Sequence, residues 1–115
     1  MSMKPLKFVG NSLNDLKSFP KPAQKEAGHQ LNKVQEGEDP SDWKPMKTIG
    51  SGVREIRIQI RDQYRIIYTA SFTDAVYVLH AFLKKTQKTT KRDLDTAAQR
   101  LKAVQKTRGE NDGNY

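Results

Sequence analysis

The feature that most constrains this chain is Glu55-Ile56-Arg57-Ile58-Gln59-Ile60-Arg61, in which polar and apolar residues alternate without a break. A period of two is that of an extended strand, whose successive side chains point to opposite faces. Ile56, Ile58 and Ile60 therefore share one face, and Glu55, Arg57, Gln59 and Arg61 the other. The stretch Tyr64-Arg65-Ile66-Ile67-Tyr68-Thr69-Ala70 is rich in aromatic and β-branched residues and predicts a second strand. After a turn at Ser71–Asp74, residues Ala75 to Leu83 are apolar apart from Tyr77 and His80 and predict a central strand buried on both faces.

The pairing of the first two strands decides where the arginines go. A two-residue turn at Asp62-Gln63 would pair Arg61 with Tyr64 and bring Arg65 onto the isoleucine face, where an unpaired guanidinium is costly. A three-residue loop (61–63) pairs Ile60 with Tyr64, sets Tyr64, Ile66 and Tyr68 with the isoleucines, and puts Arg65 beside Gln59 and near Arg57. The second register is expected. It leaves one apolar face for helices and one basic face open to a ligand, and an exposed Arg65 there should be replaceable at about 0.5 kcal/mol.

The flanks read as helical. Lys4 to Val9 suits an edge strand, and Ser12 can cap a helix with Asp15 in its first turn. Pro20 and Pro22 interrupt that helix, Pro22 suits the first position of a second one, and Ala23, Ala27, Leu31 and Val34 recur at helical spacing until Gly37. A helical hairpin or kinked helix over residues 12–36 follows. Glu38 to Gly52 reads as a loop, with Trp43 and Met46 tucked at the core edge. Thr90-Lys91-Arg92-Asp93 has the form of a capping box before the apolar stripe Leu94, Ala97, Ala98, Leu101 and Val104. That helix is expected to reach about Gln105, with a frayed polar tail after it. The fold class is α+β: one domain over residues 1–106, and a flexible tail over 107–115.

Charge narrows the partners. The chain carries 21 Lys and Arg against 13 Asp and Glu, net +8. Residues 43–92 hold eleven of the bases and only three acids, Glu55, Asp62 and Asp74, so the excess is concentrated at the strands. A concentrated basic patch attracts nucleic acid, although a solvated surface can look the same. There is no cysteine, so no disulfide or thiolate site can form. No phosphate-binding glycine loop or metal-spaced His/Asp/Glu set is present, and no cofactor or metal is expected. No apolar run approaches a membrane span and the start lacks a signal-peptide core, which predicts a soluble cytoplasmic protein with no membrane partner.

Several segments resemble the RelE/HigB toxin superfamily, most closely its phage-associated HigB-like branch. They are Lys44-Pro45-Met46-Lys47, Gly50-Ser51-Gly52-Val53, Glu55-Ile56-Arg57, Tyr64-Arg65-Ile66-Ile67-Tyr68, and Leu79-His80-Ala81-Phe82-Leu83-Lys84-Lys85-Thr86-Gln87-Lys88-Thr89 running into Ala98 and Arg100-Leu101. The resemblance implies a RelE-like twisted antiparallel sheet with helices on one face, and endonucleolytic cleavage of mRNA in the ribosomal A site. It also implies a cognate helix-turn-helix antitoxin, through which alone operator DNA would be met. Many members carry proline where this chain has Thr90, a departure that bears on helix capping more than on catalysis.

RNA carries its own nucleophile, the 2′-OH, so cleavage needs alignment, proton transfer and charge stabilisation but no metal. Arg57 and Arg65, on neighbouring strands of one face, can clamp a phosphate. Lys84 and Lys85 alternate sides at a strand end, so one of them can reach the same place, and a lysine crowded by arginines is a usable base. His80 is a further catalytic candidate, although a histidine in an apolar strand is more often structural. Arg54, Arg61, Lys47, Lys88, Lys91 and Arg92 are candidates for contacts to RNA phosphates, while Tyr64 and Tyr68 read as core before they read as stacking residues. Two alternatives stay open: a non-catalytic RNA- or DNA-binding module, and a degenerate toxin kept as a regulator.

Overall fold

The computed structural model describes residues 3–112. The elements run β1 (Leu6–Phe8), α1 (Ser12–Lys17), α2 (Lys21–Gln35), β2 (Trp43–Pro45), β3 (Val53–Ile60), β4 (Asp62–Thr69), β5 (Val76–Lys84) and α3 (Lys91–Asp112). The strands form one sheet in the order β1-β5-β4-β3-β2. β3, β4 and β5 pair antiparallel as expected, but β1 joins β5 parallel, so the sheet is mixed rather than antiparallel throughout.

The β3–β4 turn is tighter than the loop expected. Ile60 pairs with Asp62 and Ile58 with Tyr64, and the chain reverses at Arg61 in the left-handed region, φ 65°. The shift from the expected register is an even one, so every side chain stays on its expected face. It does change neighbours: Arg65 lies directly across from Arg57 instead of Gln59. The tight turn lets Asp62 and Gln63 join the ladder.

Between Ile67 and Tyr68 the pairing with β5 slips, since Ile67 faces His80 while Tyr68 faces Val78. The extra residue, Leu79, is a bulge that breaks the alternation of β5. Val76, Val78 and Ala81 join the isoleucine face, while Tyr77, Leu79 and Phe82 join the other.

Both faces are covered, which corrects two expectations: that helices pack on one face only, and that the basic face is open throughout. On one side Leu16, Phe19, Ala23, Ala27, Leu31 and Val34 of the α1–α2 segment pack on Ile56, Ile58, Tyr64, Ile66 and Tyr68. On the other, Ala97, Leu101 and Val104 of α3 pack on Val53, Ile67 and Leu79. α3 covers only part of its face, and at one end Arg57, Phe82 and Lys84 stay partly exposed.

Four local expectations are revised. Ser12 is not a cap: it is buried and its hydroxyl donates to the Val78 carbonyl at 3.0 Å, pinning α1 to β5, while Asn11 holds the cap position. Pro22 takes the second helical position behind Lys21. The expected loop contains β2, whose Trp43, Lys44 and Pro45 pair with Ile56, Glu55 and Arg54; proline is tolerated there because the strand is an edge. Finally, α3 runs past Gln105 to Asp112, and Arg108 donates to Asp74 at 2.6 Å. The last three residues of the expected tail lie outside the described residues.

Two glycines should respond oppositely to alanine. Gly28 is exposed inside α2 with open space around it, so Gly28→Ala should stabilise by about 0.5–1 kcal/mol. A Cβ at Gly50 would stand 2.5 Å from Leu101 Cδ2, between the β2–β3 connection and α3. Gly50→Ala should therefore cost about 1–3 kcal/mol by overpacking. Denaturant unfolding of the two variants checks both signs.

Candidate nucleic-acid interface

The uncovered end of the α3-side face is built in rows across three strands. Glu55, Ile67 and His80 form one row, Arg57, Arg65 and Phe82 the next, and Gln59, Gln63 and Lys84 the last. Directly opposed residues on neighbouring strands stand roughly 5 Å apart. The rows therefore pass from the apolar core under α3 to a cationic rim.

Glu55 is the centre of this arrangement and was not among the residues singled out as functional. It is fully buried, and its Oε2 accepts a hydrogen bond from Thr89 Oγ1 at 3.0 Å. Its Oε1 lies 3.5 Å from Arg65 Nε and 4.0 Å from Arg57 Nε. None of these three atoms has a hydrogen-bond partner, so the attraction is one of charge rather than of formed hydrogen bonds. A signal was present: Glu55 is the single acid in an alternating strand whose polar face is otherwise Arg and Gln.

Arg65 is buried, 6% exposed, which overturns the expectation of an open surface position. Its Nη1 donates to the Tyr64 carbonyl at 3.1 Å and its Nη2 to Gln63 Oε1 at 2.8 Å. Burial, foremost, and the neighbouring Arg57 hold its pKa below the usual arginine value, with the attraction of Glu55 opposing them. Arg57 is the accessible guanidinium, its side chain 36% exposed and its Nη1 3.9 Å from Asp42. Lys84 is half-buried on the same face, and its pKa is lowered by burial and then by Arg65, with Lys44 and Arg57 adding to the effect and Glu55 opposing it.

The other candidates divide. Lys85 lies just beyond β5, exposed. His80 is held at both nitrogens: Nε2 is 2.8 Å from Asp93 Oδ1, and Nδ1 is 3.5 Å from Arg100 Nη1 and 3.6 Å from Asp15 Oδ2. It ties β5 to α1 and α3, which is a positioning role. Asp93 also forms half of the expected capping box: Thr90 Oγ1 accepts the Asp93 N–H at 3.2 Å, while the Asp93 carboxylate accepts from the Thr90 hydroxyl at 2.7 Å. Lys85, Lys88 and Arg92 line a groove of about 550 Å³ together with Phe82 and Lys84. Lys47, Lys44 and Lys88 line a second groove of about 600 Å³. Arg61 is exposed at the turn.

Arg54 and Lys91 do not join the cluster. Arg54 points to the opposite face, bonded to Asp39 at 2.8 Å and stacked over Trp43 at 3.9 Å. Lys91 is paired with Asp95 at 2.8 Å, which raises its pKa. Tyr64 and Tyr68 are buried on the α2 side, as core. No group of three His, Asp or Glu that could hold a metal occurs among the described residues.

A small α+β domain that gathers cations around one buried carboxylate, at the uncovered end of a sheet, is suited to hold an anion. The sequence matches the family model described as phage-derived protein Gp49-like (DUF891) over residues 14–102. The chain therefore belongs to the Gp49-like family, a family of RelE/HigB-type toxins, and membership implies an antitoxin partner. No curated protein matches it. No helix among the described residues is long and apolar enough to cross a membrane.

Removing Arg65 would leave Glu55 charged and buried beside a partly exposed Arg57. Arg65→Ala should therefore cost about 3–5 kcal/mol, the scale for breaking a buried ion pair from one side. Arg54→Ala, which breaks a surface pair, should stay within about 1 kcal/mol. Chemical denaturation of the two variants separates the buried arginine from the surface one.

Proposed function

We propose that this protein is the toxin of a type II toxin–antitoxin pair of the HigB-like branch, a metal-independent endoribonuclease that cuts mRNA on the ribosome. The observation that carries the reading is the Arg57–Arg65–Lys84 cluster on three adjacent strands around Glu55. Its α+β fold, with α1 and α2 taken as an N-terminal helical hairpin, is compatible with a RelE-like architecture.

The chemistry uses this chain's own side chains. Arg57, the accessible guanidinium, binds the scissile phosphate and stabilises the charge that builds on it. Arg65 adds positive potential from beneath; its Nη atoms are committed to Tyr64 and Gln63, so it does not act as the second prong of a clamp. Lys84, whose charged form is disfavoured, accepts the proton of the 2′-OH as its oxygen attacks phosphorus. The bond to the 5′-oxygen then breaks as that oxygen takes a proton from water, leaving a 2′,3′-cyclic phosphate and a 5′-hydroxyl. His80 acts through Phe82 and Asp93 rather than on the substrate. Arg61, Lys47, Lys85, Lys88 and Arg92 meet phosphates of mRNA and ribosomal RNA. The partners are then the ribosome, mRNA and a helix-turn-helix antitoxin that alone contacts operator DNA, in the cytoplasm.

The test is cleavage of translated mRNA on purified ribosomes, with the ends of the products identified. Arg57→Ala should slow single-turnover cleavage on the order of 10²–10³-fold, as when one preorganised charge-stabilising donor is lost. The wild-type rate should climb with pH as Lys84 loses its proton, on a limb below the ordinary lysine value of 10.5, and Lys84→Arg should move that limb upward out of range. Uncut mRNA would favour a non-catalytic binding module, and a 5′-phosphate product would refute the 2′-OH route.

A further inference from the structure

Phe82 is an aromatic ring set among cations. It stands in the same row as Arg57 and Arg65, and its half-exposed ring lines the 550 Å³ groove with Lys84, Lys85, Thr86 and Arg92. That volume lies within the range of small-ligand clefts, roughly 300–1,000 Å³. One face of the ring rests on His80, with centroids 5.0 Å apart and planes at 22°. Because Asp93 and Arg100 hold His80, Phe82 is fixed before any ligand arrives.

We propose that Phe82 is the stacking platform for a nucleobase next to the phosphate held at Arg57, and that the groove beside it takes one nucleoside of a single-stranded RNA. This rests on the RNA-cleaving reading above and names the subsite it needs. The ligand is identified by a combination: a flat apolar surface to cover the ring, and negative charge that reaches across β4 to the accessible guanidinium of Arg57. Phe82 on β5 and Arg57 on β3 are separated by β4, two strand spacings or roughly 10 Å, so a nucleotide whose base covers Phe82 reaches Arg57 through the length of the nucleotide and of the arginine side chain together. An apolar peptide would cover Phe82 but leave the cations unanswered, and a free phosphate would do the reverse. A base on Phe82 would continue the stack that His80 begins. Stacking tolerates any base, so the site should hold RNA with little preference in sequence. Tyr64 and Tyr68, the aromatic residues that sequence offered for stacking, are buried on the far side of the sheet.

The test uses the full chain and a short single-stranded RNA with 2′-O-methyl riboses throughout, so that it cannot be cut, carrying one 2-aminopurine. Stacking quenches 2-aminopurine fluorescence, so binding and stacking are read together at fixed salt. The wild-type protein should bind saturably with strong quenching. Phe82→Leu should weaken binding about tenfold and abolish the quench, while Phe82→Tyr, which keeps the ring, should restore both. Arg57→Ala should weaken binding yet keep the quench at saturation. Absence of saturable quenching in the wild type, or an unchanged quench and affinity in a folded Phe82→Leu, would overturn the proposal. Failure of Phe82→Tyr to recover the quench would overturn it too, by making position 82 a packing site. The nuclease reading fails separately: stacking without cleavage on ribosomes sinks that reading alone, and cleavage without stacking sinks only this one.

Discussion

A carboxylate with no exposed surface has to be answered by charge or hydrogen bonds, because a lone buried ion costs far more than a small domain can tolerate. Glu55 is such a group, and much of the molecule is arranged to answer it. Arg65 keeps to the polar face but is buried there beside it. Thr89 donates from the segment between β5 and α3, so the loop that carries Lys88 is tied to the sheet through the same acid. Arg57 is held at longer range and stays accessible. One buried acid thus sorts two arginines into a fixed one and an available one.

Two backbone features deliver these groups. The reversal at Arg61 aligns Arg57 with Arg65, and the bulge at Leu79 turns His80, Phe82 and Lys84 toward that same face. Without the bulge, strict alternation would put Val78 and His80 on one side, burying an imidazole in the isoleucine core or exposing a valine. The capping box of α3 contributes as well, since Asp93 serves both the helix start and the imidazole.

Much of the fold was legible in the sequence because its signals are periodic. The 55–61 alternation, the apolar run of β5 and the stripe of α2 each specify an element and its buried face. The register was legible only in parity: the cost of burying Arg65 among isoleucines rejects odd shifts but cannot choose between even ones. β2 was hidden by Pro45, and the bulge left no mark in an apolar stretch where either phase looks buried. At the site, Arg57 and Lys84 were found by charge and face. Glu55 was seen but not weighted, because a carboxylate beside arginines looks like ordinary surface until its burial is known. Arg54 was included on charge alone, and only its odd phase relative to Arg57 separates it from the cluster. Phe82 does pack at the edge of the α3-side core, and its part-exposure beside the cations was hidden because alternation across the bulge cannot be followed.

The central claim is that Glu55 and Arg65 are one buried unit on which the cationic face is organised. The most direct measurement is a double-mutant cycle in denaturant unfolding, with Glu55→Gln, Arg65→Met and the pair. The account predicts that the double variant loses less than the sum of the singles, with a coupling of about 1–3 kcal/mol. Additivity within about 0.5 kcal/mol would contradict it, leaving the two side chains as neighbours that do not depend on each other.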